Sequence, residues 1–279
     1  MEFALVNGTR AKPFTGGRGA CPQCGSVMVS KCGTRVIHHW AHHGRLDCDP
    51  WWENETEWHR TWKGQFPTDC REVSHTSPTG EIHRADIKTP TGIVVEIQNS
   101  PMSDQERISR EDFYGNLIWV LNGKAFQKSF DVYHQLPDPE SAWGRDLIWE
   151  KAARQQHGAN RGIFYSLTEA QKRHPEVTKA TCGPLGTMNF LQDFKPEIAR
   201  TYRGHHQYDW VRPRRTWLDA ACPVYIDFGE EHLLRLEQYD ETGLPCVRRI
   251  PKQTFLKDVM TKSVARDVAF NPILYPNPY

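Results

Sequence analysis

The stretch that most constrains this chain is IVVEIQ, residues 93–98, within HRADIKTPTGIVVEIQNS. A run so rich in Val and Ile favours an extended strand. Side chains alternate along a strand, so Val94, Glu96 and Gln98 project together on one face and Ile93, Val95 and Ile97 on the other. A carboxylate on so apolar a strand is costly unless something pairs with it, and a divalent cation is one such partner. The preceding strand, EIHRADIKT, puts Ile82, Arg84, Asp86 and Lys88 on a common face, and Pro90 to Gly92 can turn one strand into the other. In such a hairpin Asp86 and Glu96 can approach one site. The register stays open at this level, because a slip of one residue would reverse the faces.

The neighbouring segments supply the rest of a mixed α/β unit over residues 51–135. ENETEWHRTWKGQF reads as a helix up to Gly64, CREVSHT as a strand and NLIWVLN as another. SDQERISREDFYG reads as a helix with Ser103 as its cap, Glu106 completing a capping box and Gly115 closing it. The order is helix, three strands, helix, strand. In the first helix, at about 100° per residue, Trp58, Trp62 and Phe66 cluster on one side. Glu55 falls in that sector, His59 lies at its edge, Glu57 points away and Glu53 sits at or before the start. Glu55 is therefore the expected third carboxylate, with His59 beside it. Hard oxygen ligands suit Mg²⁺ or Mn²⁺, which can polarise a phosphate and activate water. The competing reading is a hairpin with solvated acids and one buried ion pair.

Residues 1–50 hold a Cys/His cluster. CPQCG places Cys21 and Cys24 in a knuckle whose Gly helps the tight turn, and two thiolates so spaced can share a tetrahedral Zn²⁺. HHWAHH offers His38, His39, His42 and His43 for the second pair, with Cys32 and Cys48 as rivals. A redox-active pair is the other reading, but such pairs sit on a helix after a strand, and GACPQCGSVMVS reads as strand, turn, strand. Four protein ligands would close the site, so the zinc would fold the segment rather than catalyse.

Together these pieces resemble the PD-(D/E)XK nuclease core and, more narrowly, the competence protein CoiA-like family. The matching residues are ENETEWH at 53–59, Lys63, RAD at 84–86, VVEIQNS at 94–100, Arg110, Tyr114 and IWVLNG at 118–123. Upstream, CPQCG and HHWAHH resemble that family's zinc-ribbon-like segment. The resemblance covers roughly the first half of the chain. It implies a restriction-endonuclease-like core that cleaves nucleic acid, most simply DNA, with Asp86 and Glu96 as the magnesium- or manganese-binding acids. Glu55 and His59 match the family's helix acid and helix His, and His39 and His42 match its His-aromatic-x-His zinc pair. Gln98 stands where the wider superfamily usually has Lys, a departure that the CoiA-like branch shares.

The second half, residues 140–279, says less. It reads as an additional α+β region joined through HQLPDPESAWG, whose prolines and glycine break regular structure. CPVYIDFGEEHLLRLEQYD reads as two strands around a turn, with Asp227, Glu230 and Glu231 as turn residues, and PKQTFLKDVMTKSV as a helix. Trp210, Trp217 and the basic VRPRR suit either core packing or nucleic-acid contact, and a protein partner could bind here. Formal net charge over the 279 residues is +1, so no global field draws the protein to nucleic acid and any such binding must be local. No apolar run is long enough for a bilayer, and MEFALVNGTRAKPF lacks a signal-peptide pattern, so a cytoplasmic protein without a membrane role is expected. Two other functions are compatible with the same residues. One is a single-stranded nucleic-acid-binding protein that does not cut. The other is a phage or defence interaction protein dominated by the second half.

Overall fold

The computed structural model describes residues 1–35, 37–44, 48–49, 51, 55–156, 159–182 and 185–268. The chain forms two compact units, Met1–Val120 with Leu256–Ala265, and Leu121–Phe255 with the described residues from Arg266 on. The Cys/His segment thus belongs to the first unit instead of standing apart, and the boundary falls inside a strand rather than near residue 140. The expected linker is a built turn of the second unit. Leu136 is fully buried there, the Asp138 amide donates to Thr201 O, and Ser141 caps a short helix at Ala142–Asp146.

The first unit opens with a small antiparallel sheet. Its strands are β1 (Ala4–Val6), β2 (Thr9–Ala11), β3 (Arg18–Ala20), β4 (Val27–Lys31) and β5 (His39–His42), in the order β2-β1-β3-β4-β5. Arg18 to Ala20 pairs with Val27 to Val29 across the Cys-x-x-Cys turn, as the strand-turn-strand reading requires. Met28 and Trp40 fill its core beside Cys21.

A helix α1 (Glu57–Gly64) follows, then β6 (Arg71–Thr76), β7 (Ile82–Lys88), β8 (Val94–Gln98), α2 (Asp104–Tyr114) and β9 (Leu117–Asn122). These strands lie in the order β9-β8-β7-β6. β6, β7 and β8 pair antiparallel. The Val94 amide donates to Asn116 O, so β8 and β9 start side by side and run the same way, with α2 as the crossover that parallel neighbours need. The result is a mixed sheet flanked by helices. β8 is buried along its whole length, as a central strand should be, while β7 alternates buried His83, Ala85 and Ile87 with the more open Arg84, Asp86 and Lys88.

Local chemistry explains the element ends. Ser103 Oγ accepts from the Glu106 amide at 3.1 Å, and Gly115 takes the positive φ of 66° that ends α2. The Glu106 carboxylate does not complete a capping box; it pairs with Arg110 one turn on. Helix α1 begins later than its amphipathic pattern suggests, because Thr56 Oγ1 caps the His59 amide. Glu55 therefore precedes the helix instead of riding on its apolar face, and Glu53 lies outside the described residues.

The second unit holds an antiparallel sheet of β10 (Phe130–Gln135), β14 (His205–Trp210), β17 (Pro245–Pro251), β16 (His232–Gln238) and β15 (Val224–Asp227), in that spatial order. A three-stranded sheet of β11 (Leu147–Trp149), β12 (Ile163–Ser166) and β13 (Asn189–Phe190) accompanies it. Trp210 and Trp217 are buried, which makes them packing residues. Arg214 lies over the Phe126 ring at 5.2 Å. Asp227 is buried as well, accepting from the Gly229 amide and pairing with Lys252, so it is a turn acid as expected. Among the described residues no helix is long and apolar enough to cross a membrane.

Candidate active site and metal centre

Ile87 pairs with Val95 and Lys88 with Val94, which sets Asp86 opposite Glu96. The hairpin register therefore unites the two predicted acidic faces. The regular ladder stops at this point and the acids take over its hydrogen bonds. The Asp86 amide donates to Glu96 Oε1 (3.1 Å), and the Ile97 amide donates to Asp86 Oδ2 (3.0 Å). Each carboxylate thus occupies a backbone position on the other strand, and the strands part around a polar pocket of about 50 Å³. That is room for an ion and a few waters, since one water needs about 10–15 Å³ by this measure.

Helix α1 brings two side chains to the pocket. His59 Nε2 lies 3.7 Å from Asp86 Oδ2, and Lys63 Nζ lies 4.0 Å from Asp86 Oδ1. Lys63 also pairs with Glu55 and, at 3.0 Å, with Glu72. Glu55 is held on its other oxygen by Arg60 Nε at 2.7 Å. Glu72 sits at a φ of 47°, a backbone region few non-glycine residues enter, and its carboxylate accepts the Glu2 and Phe3 amides. From α2, Arg110 Nη1 reaches Glu96 Oε2 at 2.9 Å. Gln98 lies buried with its amide donating to Ser100 O.

Predicted site residues Glu55, His59, Asp86, Glu96 and Gln98 all line this pocket. Sequence reasoning missed Asp49 and Glu72 there, and assigned no part to Lys63, Arg84 or Arg110. Nothing in local spacing marks residues 49 and 72, which reach the pocket only through tertiary structure.

The charges around the pocket do not balance. Of the lining residues, the acids Asp49, Glu55, Glu72, Asp86 and Glu96 outnumber the permanent cations Lys63, Arg84 and Arg110, and Arg60 adds a fourth cation on Glu55 from outside the lining. The Met1 amine, whose pKa burial pushes down, and His59 are the partial cations that remain. Burial first and then Asp86 push Glu96 up to about 8, against the pull of Arg110. Asp86 moves the other way. Burial works against its charge, but His59 and Lys63 outweigh that and hold it low. His59 is raised: burial disfavours its charged form, and Asp86 more than compensates. Lys63 is likewise held charged, since Glu72, Asp86 and Glu55 overcome its burial.

A second cluster lies in the N-terminal sheet. One ligand atom from each of Cys21, Cys24, His42 and Cys48 lies within 4.8 Å of all the others. Cys21 Sγ and Cys48 Sγ are 3.8 Å apart, and Cys24 Sγ is 3.4 Å from His42 Nε2. Thiolates about 2.3 Å from a tetrahedral Zn²⁺ would be about 3.8 Å apart. This Cys₃His group could bind a metal such as zinc. Its thiols differ sharply: burial raises Cys48 to about 12, with Cys21 adding to it, whereas hydrogen bonds from Ser26 and His42 overcome burial and bring Cys24 down to about 6. A bound cation would let all three ionise.

The ligand set corrects one expectation. His42 joins the cluster but His39 does not; its Nδ1 meets Ile37 O at 2.8 Å. The reason is parity. His39 and His42 are the two ends of β5, three residues apart, so they point to opposite faces of the strand. Cys48 completes the group of four. Among the remaining thiols, Cys70, Cys182 and Cys246 are buried, as expected of packing residues. Comparison with family models, with curated proteins and with solved structures found no match to this chain.

Proposed function

We propose that this protein is a metal-dependent nuclease whose active centre is the Asp86–Glu96 pair on a PD-(D/E)XK-like, CoiA-like core, with the Cys₃His group as a structural zinc site. One observation carries the reading: two carboxylates stand opposite each other where the β7–β8 ladder opens, inside a polar pocket whose acids outnumber its permanent cations. Ordinary ion pairs remove such an excess. This pocket answers it in part by raising the proton affinity of Glu96, which a divalent cation would lower.

Asp86 and Glu96 would hold Mg²⁺ or Mn²⁺. Such an ion supplies Lewis-acid polarisation of a phosphate oxygen and a bound water of lowered pKa. Lys63 fills the electrostatic part left vacant by Gln98, since its charge stands 4.0 Å from Asp86. His59 orients Asp86 and can carry a proton at Nε2. Glu55 and Glu72 fix the Lys63 ammonium, and Arg110 fixes Glu96. Gln98 orients water or a phosphate oxygen. The nucleic acid is proposed to be DNA, and the second unit to bear on the choice of substrate or partner.

A second reading, a nucleic-acid-binding protein that does not cut, draws on the same pocket. Glu96 is tied to Arg110, and the residue at 98 carries no charge. Cleavage of labelled single- and double-stranded DNA and of RNA, with Mg²⁺ or Mn²⁺, separates the two. The nuclease reading expects cutting that Asp86→Asn and Glu96→Gln each abolish. Binding without cutting by the wild type would replace it with the second reading.

A further inference from the structure

The two clusters are joined by a short strap. Cys48 is a ligand of the Cys₃His group, and the next residue, Asp49, is buried against β7. Asp49 Oδ2 accepts from the Arg84 amide at 2.9 Å, and Oδ1 meets His83 Nδ1 at 3.0 Å and the Trp51 amide at 3.1 Å. Trp51 then stacks on the His83 ring, with centroids 3.4 Å apart and planes 13° apart. Its carbonyl accepts Arg110 Nη2 at 2.9 Å, and the same guanidinium holds Glu96. The cysteine knuckle reaches the strand directly too. Gln23, between Cys21 and Cys24, donates to both Cys48 O (3.2 Å) and Ile82 O (3.0 Å).

We infer that Asp49 is a positioning residue through which metal binding at the Cys₃His group sets the Asp86–Glu96 pair. The chemistry is simple. A bound metal fixes Cys48, Cys48 places Asp49, and Asp49 accepts the amide two residues before Asp86. Trp51 fixes the cation that orients Glu96. Without a metal, residue 48 keeps the Gln23 hydrogen bond to its carbonyl and the contact with the Cys21 thiol but loses the bond that fixes its side chain, and a carboxylate freed from the Arg84 amide would remove one of the bonds that hold β7 beside the pocket. The link to catalysis rests on the nuclease reading; the link between the two clusters does not.

Amide hydrogen exchange, read residue by residue, separates these. The full-length protein would be compared with zinc bound, after removal of zinc by a chelator, and as Asp49→Ala reloaded with zinc. The expected result is exchange about tenfold or more faster at Arg84, Asp86 and Ile97 after zinc removal, with β16 amides unchanged as the internal control. Asp49→Ala should keep one zinc per chain yet show the same loosening, and its cleavage should fall in kcat more than in KM. Equal protection of the three amides with and without zinc would overturn the inference, and needs no substitution to be seen. Unchanged protection in zinc-loaded Asp49→Ala would overturn it as well. If the amides loosen as expected but no form cuts nucleic acid, the strap stands and the nuclease reading falls.

Discussion

The acid pocket of the first unit and the buried network around Glu237 in the second are built from the same residue types, yet they differ in kind. Glu237 is a lone carboxylate met by Arg235 at 3.0 Å and Arg248 at 2.6 Å, with His205 at 3.6 Å. Burial and the neighbouring Arg248 hold His205 down to about 3, so it adds no charge. There the cations match or exceed the acid. Around the pocket of the first unit the lining acids exceed the lining permanent cations, and Glu96 is pushed up to about 8. A buried ionic network is by itself weak evidence of function. An uncompensated one beside open space is a better candidate, because a cation from solution would complete it.

Substitutions can break this comparison. Glu96→Gln should lower metal-dependent cleavage by about a thousandfold or more with little loss of Tm at neutral pH, since Glu96 is the acid whose charge the fold disfavours. Glu237→Gln should do the reverse, leaving cleavage intact while costing about 3 kcal/mol by denaturant unfolding, because the buried Arg248 and the half-buried Arg235 lose their counter-charge. A large Tm loss in Glu96→Gln without an effect on cutting would make both clusters structural.

The pH dependence sharpens the contrast. A carboxyl group whose folded pKa is raised contributes stability that is present below its unfolded value and lost as pH rises through the folded value. For Glu96 that window runs from the ordinary Glu range of about 4.3 up to about 8. Without divalent cations, Tm should therefore fall between pH 5 and 8, Mn²⁺ should reverse much of the fall, and Glu96→Gln should flatten it. His59 adds in the same direction, since its raised pKa also favours the protonated form in the folded state. A profile identical in wild type and Glu96→Gln would remove this assignment. The smallest expected effect lies away from both clusters: Ser103→Ala, which removes the α2 cap, should cost about 1 kcal/mol and leave cleavage unchanged.

Legibility from sequence followed the range of the interactions. The hairpin of Asp86 and Glu96, the Ser103 cap and the Gly115 stop were readable because each depends on residues within one turn or one alternation. Glu55 was read as part of the pocket for the wrong reason, since it precedes α1 and is held there by Lys63 and Arg60. Asp49 and Glu72 gave no local signal because their partners, Arg84, His83 and the Glu2 amide, are distant in the chain. The members of the Cys₃His group divide similarly. Cys21 and Cys24 announce themselves by spacing, whereas choosing His42 over His39 requires knowing that residues 39–42 are a strand. Cys48 stands apart from any motif spacing with Cys21 and Cys24, and only tertiary structure brings it to them.

Manganese binding followed by electron paramagnetic resonance tests the central claim most directly, because it asks about the pocket without presuming a substrate. The zinc-loaded protein is predicted to take up Mn²⁺ saturably at one site, with uptake lost in Asp86→Asn and in Glu96→Gln and kept in Glu237→Gln. Equal uptake by all four proteins, or none by the wild type, would contradict the claim that Asp86 and Glu96 form a divalent-cation site.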